Sequence, residues 1–373
     1  MRLIYLDYNA STPIDPSVAE AMRPFLDAAF GNPSSGHWAS APAKAGLDRA
    51  RSQVAALLGA SPDEIVFTSG GSEANNLAIK GTFFAPNRRA AHIITSAVEH
   101  PAILAPCRFL ERLGGSVAHI RVDGTGRVDP EDVRRAITPQ AALISIMHAN
   151  NEVGTIQPIA EIGAIARQHG IRFHTDAAQS VGKIPTQVDE LGVDVLTMAG
   201  HKLCAPKGVG ALYLRRGIEV EPVIHGAGHE FGRRAGTESA LLAVGLGGAC
   251  AMAADLAPLS RIQTLRDRLW QALQDRFGEG AALNGHPTHL LPNTLNVSFV
   301  GRIGADILAQ LRDVAASTGS ACHSGQIELS PVLAAMRVPE RTGMGAIRFS
   351  LGRRPAVDEI DQVIARLATI AAV

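Results

Sequence analysis

The chain predicts an α/β fold: a largely parallel sheet with helices on both faces, followed by a smaller α+β part. Three observations carry this expectation. Short apolar runs alternate with helical segments from residue 64 to residue 214, the pattern of a parallel sheet buried on both sides. The texture changes near Leu256-Ala257-Pro258, after which a long charged helical segment and shorter repeats follow. A length of 373 residues with 46% hydrophobic content provides for a large core and suggests two domains.

Taken in order, Met1-Arg2-Leu3-Ile4-Tyr5-Leu6-Asp7 begins a strand at once, so no signal or transit peptide is expected. Asn9-Ala10-Ser11-Thr12-Pro13 reads as a turn before a helix over 16–28. The stretch 30–37 holds too many turn formers to be anything but a loop. Helices are expected over 41–58 and 72–80, with a strand over 64–68 between them. Further strands are expected over 92–96, 141–147 and 171–175, each separated by a helical segment. After Pro158, a helix places Ile159, Ile162 and Ile165 on one stripe, with proline in its first turn. Residues 193–198 and 209–214 are apolar strands joined by the Gly/Pro-rich loop 200–208. The uncharged stretch 239–254 is too short and too glycine-rich for a membrane span and reads as a buried helix. Beyond it come a helix over 261–277, a strand over 294–299, a helix from Ala305, a Ser/Gly-rich loop and a strand over 346–350. The last helix carries Val357, Ile360, Ile364 and Leu367 on one face.

Lysine plus arginine equals aspartate plus glutamate, 35 of each. Bulk charge therefore gives no reason to expect a nucleic-acid or membrane partner. Four cysteines, Cys107, Cys204, Cys250 and Cys322, do not make a disulfide framework in so long a chain, so a reducing cytoplasm is expected. No paired Cys-x-x-Cys supports a zinc site.

In open α/β sheets, ligands bind beyond the carboxyl ends of the strands, and the strand ends here carry chemistry. Lys202 sits between two core strands, where desolvation lowers an ammonium pKa and leaves a neutral amine able to attack a carbonyl. The competing reading is a loop lysine that snorkels to water. Thr68-Ser69-Gly70-Gly71-Ser72-Glu73 joins a strand to a helix. Its glycines, hydroxyls and helix N-terminus form an anion cup suited to one phosphate, or simply a turn with Ser72 as N-cap. Asp176 ends a buried strand and either pairs with a pyridinium nitrogen or caps a helix. His100 follows another strand and suits ring contact or proton transfer, or is a structural histidine. Asn150-Asn151-Glu152 either bonds a ring substituent or forms a turn. Together these features fit pyridoxal phosphate better than a nucleotide. Cys322, between small polar residues and beside His323, reads as a reactive thiol or as an inert loop cysteine. Arg348, on a strand, could fork onto a carboxylate or pair with any acid.

On these motifs the chain resembles cysteine desulfurases of the NifS/IscS type, class V members of the fold type I pyridoxal phosphate enzymes. The resemblance runs from Tyr5-Leu6-Asp7-Tyr8-Asn9-Ala10 through Asn150-Asn151-Glu152-Val153-Gly154, Asp176-Ala177-Ala178-Gln179-Ser180-Val181-Gly182-Lys183 and Gly200-His201-Lys202 to Gly319-Ser320-Ala321-Cys322. It implies a mostly parallel seven-stranded sheet in a large domain, 15–257, and a small domain from 1–14 and 258–373 that carries the cysteine loop. It further implies that Lys202 holds the cofactor as a Schiff base, that Asp176 pairs with its ring nitrogen, and that His100 stacks on the ring. Gln179 and Asn151 would bond the ring hydroxyl region, and Gly71, Ser72 and His201 the phosphate. Thr237 would reach the phosphate of a second subunit, making a homodimer. Arg348, with Asn32 nearby, would bind the substrate carboxylate. Cys322 would take the substrate sulfur as a persulfide for an acceptor protein, as in iron–sulfur cluster assembly, leaving alanine.

The sequence departs from the family pattern in several places. Ala199 stands where a phosphate-binding serine is usual, with Thr197 as a candidate replacement. Gly226-Ala227-Gly228-His229-Glu230-Phe231 replaces the usual Gly-Gly-Gly-Gln/His-Glu-Arg. The chain runs about one helix past Arg353, so the longer tail that docks a scaffold protein in some relatives is not expected. Ala321-Cys322-His323-Ser324 and its flanks also resemble selenocysteine lyases, which gives selenide release as the alternative activity.

Overall fold

In a computed structural model, the structure describes residues 3–85, 91–318 and 328–370. In chain order, its strands are β1 (Ile4–Tyr5), β2 (Ile65–Thr68), β3 (His92–Ser96), β4 (Ser116–Ile120), β5 (Ala141–Ser145) and β6 (Arg172–Asp176). The remainder are β7 (Val195–Ala199), β8 (Gly210–Leu214), β9 (Ala281–Asn284), β10 (Thr294–Phe299), β11 (Val314–Ala315) and β12 (Ala346–Ser350).

Seven of them form the central sheet in the order β2-β8-β7-β6-β5-β3-β4. The expected mostly parallel α/β sheet is therefore present. β8 alone runs antiparallel to its neighbours, β2 and β7. The loop between β7 and β8 is too short for a crossover, so the chain has to double back. β4 pairs at the sheet edge with β3, and of its five residues only Ile120 is buried. Such a strand carries no apolar run to mark it in the sequence. β9, four residues long, was missed for want of length.

Most other expectations hold within a residue or three. The helix expected over 16–28 is an exception: it breaks into Pro16–Met22 and Pro24–Asp27. Pro24 brings no N–H to continue the ladder and its ring crowds the preceding turn. The uncharged stretch forms the buried helix Ala240–Ala253, packed along Ala41–Leu58. Gly247 allows this approach, since a Cβ there would lie 2.6 Å from the Cα of Ala50. Among the described residues, no single helix is long and apolar enough to cross a membrane.

Two main apolar clusters result. The larger lies on the central sheet and includes Leu47, Val54, Phe67, Ile144, Phe173 and Leu246. The other joins Ile4 and Leu6 to Leu265, Val297, Phe349 and Ile360 around the antiparallel sheet β12-β10-β9. The N-terminal strand is thus held by the C-terminal part, through the parallel pairing of β1 with β11. Helix Pro331–Ala335, by contrast, sends Val332 and Leu333 into the larger cluster.

One buried ion pair ties the loop around Glu230 to the core. Arg51 donates to Glu230 in a bidentate pair at 2.7 Å and also to the Ile65 carbonyl, while the Phe67 N–H donates to Glu230. Arg51→Met leaves the Glu230 carboxylate buried without its cation. It is expected to cost about 3–5 kcal/mol of unfolding free energy. Denaturant titration measures this, and a wild-type midpoint with an unchanged slope would contradict it.

Candidate active site

Five parallel strands of the central sheet, β2, β3, β5, β6 and β7, deliver residues from their carboxyl ends to one cavity of about 620 Å³, a size suited to a small cofactor. From the end of β2 come Ser69, Gly70, Gly71 and Ser72; from the end of β3 comes His100; after β5 come Met147, Ala149 and Asn151. β6 contributes Asp176 and, just after it, Gln179; β7 contributes Ala199, and the loop after it His201 and Lys202.

The 13-residue helix Gly71–Phe83 starts at the cavity wall, so its unpaired N–H groups and positive end face inward. Gly70 has φ +149, a backbone state that side chains disfavour. Gly210 lets this turn sit tightly against β8, for a Cβ there would lie 2.8 Å from the Gly70 Cα. Arg234 pairs with Glu73 at 2.9 Å, and Glu73 accepts from the Ser69 N–H at 2.8 Å, which holds the turn from behind.

Asp176 is 6% exposed. Its Oδ2 accepts from the Asn75 amide at 2.7 Å and its Oδ1 from the Ala178 N–H at 2.9 Å. Those bonds aim the carboxylate and leave lone pairs for a cationic ring nitrogen. Asn75 was not singled out in the sequence. Its signal is an amide on the buried face of a helix, beside Ala74, Leu77 and Ala78.

His100 caps the helix Pro101–Glu111, its Nδ1 accepting from the Ala102 N–H at 3.1 Å. The neutral ring therefore carries its proton on Nε2. Burial, more than any charge, holds its pKa below the usual histidine value. His201 is pushed down to about 4 by burial, with Lys202, Lys207 and His100 adding repulsion. Lys202 is pushed down to about 8, by burial first and by Arg348 second. Its ammonium donates to the backbone carbonyls of Asn9 and, at 3.1 Å, Ala10. The snorkelling alternative does not describe this side chain, since its amine turns inward and lines the cavity.

The remaining candidates lie elsewhere. Thr197 spends its hydroxyl on His174 Nε2 at 3.1 Å and is fully buried. It shares a face of β7 with Ala199, but its hydroxyl is taken by His174 and it does not line the cavity, so it does not stand in for the missing serine. Thr237 is exposed and lines a second cavity with Arg234, sharing Ser69, Gly208 and Val209 with the first. Arg348 is buried behind Asn151, pairing with Asp7 at 2.7 Å and donating to the Asn151 carbonyl at 2.9 Å. It does not line the cavity. Asn32 lies outside the cavity too, exposed in a turn where its Oδ1 accepts from the Ser34 N–H. Cys322 lies outside the described residues. The chain on either side of residues 319–327 is held near Asn151: Ser317 exchanges backbone bonds with Arg348, and Ser330 donates to Glu152.

Directly behind His100, Glu99 is fully buried and pushed up to about 8 by desolvation. Its Oε1 accepts from Ser96 and from the Met147 N–H, and its Oε2 has no partner among the described residues. A carboxyl whose folded pKa lies above its unfolded value binds the extra proton in the folded state. Stability from Glu99 is complete below about pH 4.5 and is lost as pH rises toward about 8. Glu99→Gln keeps the Oε1 acceptor and cannot ionise. The difference in unfolding free energy should therefore shift in favour of the variant from pH 5 to pH 8. A pH-independent difference would show that Glu99 is already ionised in the fold.

Against known proteins, the family described as aminotransferase class V matches residues 4–363. The chain belongs to this family. Among class V relatives, a cysteine desulfurase IscS from Dictyoglomus turgidum is 46% identical over a 380-residue alignment that covers 99% of this chain and 96% of the relative. A solved NifS-like protein superposes with a TM-score of 0.92 at 35% identity, covering 99% of both chains. A structure described as SspA in complex with cysteine has a TM-score of 0.85 at 38% identity, covering 95% of this chain and all of the other. The class V family implies a pyridoxal phosphate cofactor, and the cup, acid, histidine and lysine around this cavity fit that group. Behind the cavity stand Asn9 and Lys183, which the sequence shows only as members of longer motifs.

Proposed function

We propose that the protein is a pyridoxal phosphate-dependent cysteine desulfurase that converts L-cysteine to L-alanine and keeps the sulfur as a persulfide on Cys322. The convergence of Gly70–Ser72, His100, Asp176 and Lys202 on one cavity carries this reading. Its kinship to desulfurases favours cysteine over selenocysteine as the substrate. The N–H groups at Gly71 and Ser72 would hold the phosphate, the Asp176 carboxylate would face the ring nitrogen, and His100 would lie against the ring.

The cofactor, when bound, supplies an electron sink for the substrate α-carbon. Lys202 then serves both to hold the cofactor and to move the α-proton, because an amine with a pKa near 8 is available in both protonation states near neutral pH. Deprotonated Cys322 attacks the substrate sulfur. The new S–S bond forms as the Cβ–S bond breaks, and the bonding pair returns to carbon and is protonated, giving alanine. No external oxidant is needed, because the substrate carbon keeps the bonding pair: carbon is reduced by the two electrons that the sulfurs lose in forming the S–S bond.

The described cysteines make poor alternatives for this role. Burial pushes Cys107 up to about 12, and Cys204 and Cys250 are raised as well, again by burial first. Thiol chemistry at Cys322 needs a reducing compartment, which supports a cytoplasmic location. The exposure of Thr237 beside the phosphate cup supports a role for it at a second subunit's site, and with it a homodimer as the working form. Sedimentation should give a dimer at assay concentration, and a fully active monomer would contradict a shared site. An acceptor protein collects the persulfide sulfur. Arg348 meets the substrate carboxylate on exchanging its bond to Asp7.

The test is incubation with L-cysteine and, separately, L-selenocysteine, scoring alanine. Alanine from cysteine with a persulfide on Cys322 is expected. Alanine from selenocysteine alone would make the protein a lyase instead.

A further inference from the structure

Lys183 is a lysine with no evident work. It is 9% exposed and, among the described residues, makes no ion pair. Its ammonium donates to Gln179 Oε1 at 3.0 Å and Asn9 Oδ1 at 3.2 Å. Both acceptors belong to side chains that also bear on the cavity. Gln179 lines it and donates through Nε2 to the Asn9 carbonyl at 3.0 Å. That same carbonyl accepts the Lys202 amine. Asn9, 1% exposed, is held on its other sides by Thr294 at 2.8 Å, Asn293 at 3.0 Å and the Ser350 hydroxyl at 2.9 Å.

A charged lysine has three donors and no acceptor. Only an amide oxygen can satisfy it here, so its presence dictates which way each amide points. With Oε1 turned to Lys183, the Gln179 NH₂ must face the Asn9 carbonyl and the cavity. The Asn9 carbonyl, which can only accept, favours the same orientation, and Lys183 supplies the second constraint, fixing the oxygen end of the amide. Burial first, and repulsion from nearby Lys202 second, push the Lys183 pKa down to about 7, and two ammonium ions so placed disfavour one another.

We propose that Lys183 is a positioning residue for the cavity: it fixes the Gln179 amide with its donor side inward and holds the Asn9 carbonyl that seats the Lys202 amine. This rests on the pyridoxal phosphate reading for its meaning, though not for its test.

Lys183→Met keeps the length and apolar stem while removing charge and donors. Pyridoxal phosphate added to cofactor-free protein, followed by absorbance, should bind about five- to ten-fold more weakly, the weight of one or two neutral hydrogen bonds. On a Gln179→Leu background the same change should have less than about a two-fold effect, because the orientation it controls is gone. In cofactor-free protein, modification of Lys202 by acetic anhydride, read by peptide mass against pH, should show a midpoint raised in Lys183→Met. Lys183→Arg, which keeps the charge, should leave that midpoint at its wild-type position. The other charged or titratable groups facing Lys202 are Arg348 on β12, Asp176 on β6, Asp7 on the N-terminal segment, and His100 and His201 beside it. All of them are retained, so the shift reports Lys183. An equal loss of affinity on both Gln179 backgrounds, or an unmoved midpoint, would overturn the proposal. If wild-type protein takes up no pyridoxal phosphate, the functional reading fails, while the midpoint comparison still decides the role of Lys183.

Discussion

Lys202→Ala should abolish alanine formation, by roughly 1,000-fold or more, while leaving the fold intact. The lysine is asked to do two things, hold the cofactor and carry the α-proton, and positioned proton transfer alone is worth about 10²–10⁴-fold. Little stability depends on it, since among the described residues its amine bonds only the carbonyls of Asn9 and Ala10. Borohydride treatment should fix the cofactor on the peptide containing Lys202 in the wild-type protein and nowhere in the variant. Circular dichroism and the thermal midpoint should barely move. Alanine production within ten-fold of wild type would remove Lys202 from the chemistry.

Cys322→Ser should have an effect of similar size, read by different signals. The variant keeps Lys202, Asp176 and the phosphate cup, so it should bind the cofactor as tightly as wild type. Addition of cysteine should still change the cofactor absorbance. Alanine and protein persulfide should both be nearly absent, because a serine hydroxyl is a poor substitute for a thiolate attacking sulfur. With selenocysteine, partial turnover should survive, since selenide leaves more readily without assistance. Wild-type alanine production from cysteine would show that Cys322 is not the acceptor. Cys204 would be the next thiol to replace, although it lies behind Lys202 in a separate small cavity with Lys183 and Tyr8. The two substitutions thus divide the reaction: one loses cofactor retention, the other keeps it and loses sulfur transfer.

The sequence by itself determined the α/β architecture, because the apolar runs between 64 and 214 have strand length and are punctuated by turn residues. It also determined the principal members of the site. Gly71, Ser72, His100, Asp176, His201 and Lys202 all stand at strand ends, and a parallel sheet gathers its strand ends on one side whatever the details of packing. Edge strand β4 escaped notice because a half-exposed strand carries no continuous apolar signal.

Tertiary structure alone decided what stands behind these residues. Asn9, Asn75, Lys183 and Glu99 are polar groups far apart in the chain, and apart from the apolar neighbours of Asn75 nothing local distinguishes them from surface residues. Their roles come from burial and from the partner each finds across the fold: Asn75 on Asp176, Lys183 on Gln179 and Asn9, Glu99 on Met147. The same holds for the displaced candidates. Thr197 was a reasonable substitute for a lost hydroxyl until the strand placed it against His174. Arg348, a candidate for a substrate carboxylate, pairs in the fold with the carboxylate of Asp7, 341 residues away in sequence. Hydrogen-bond partnership is a property of three-dimensional neighbours, and a buried donor takes the acceptor that folding delivers.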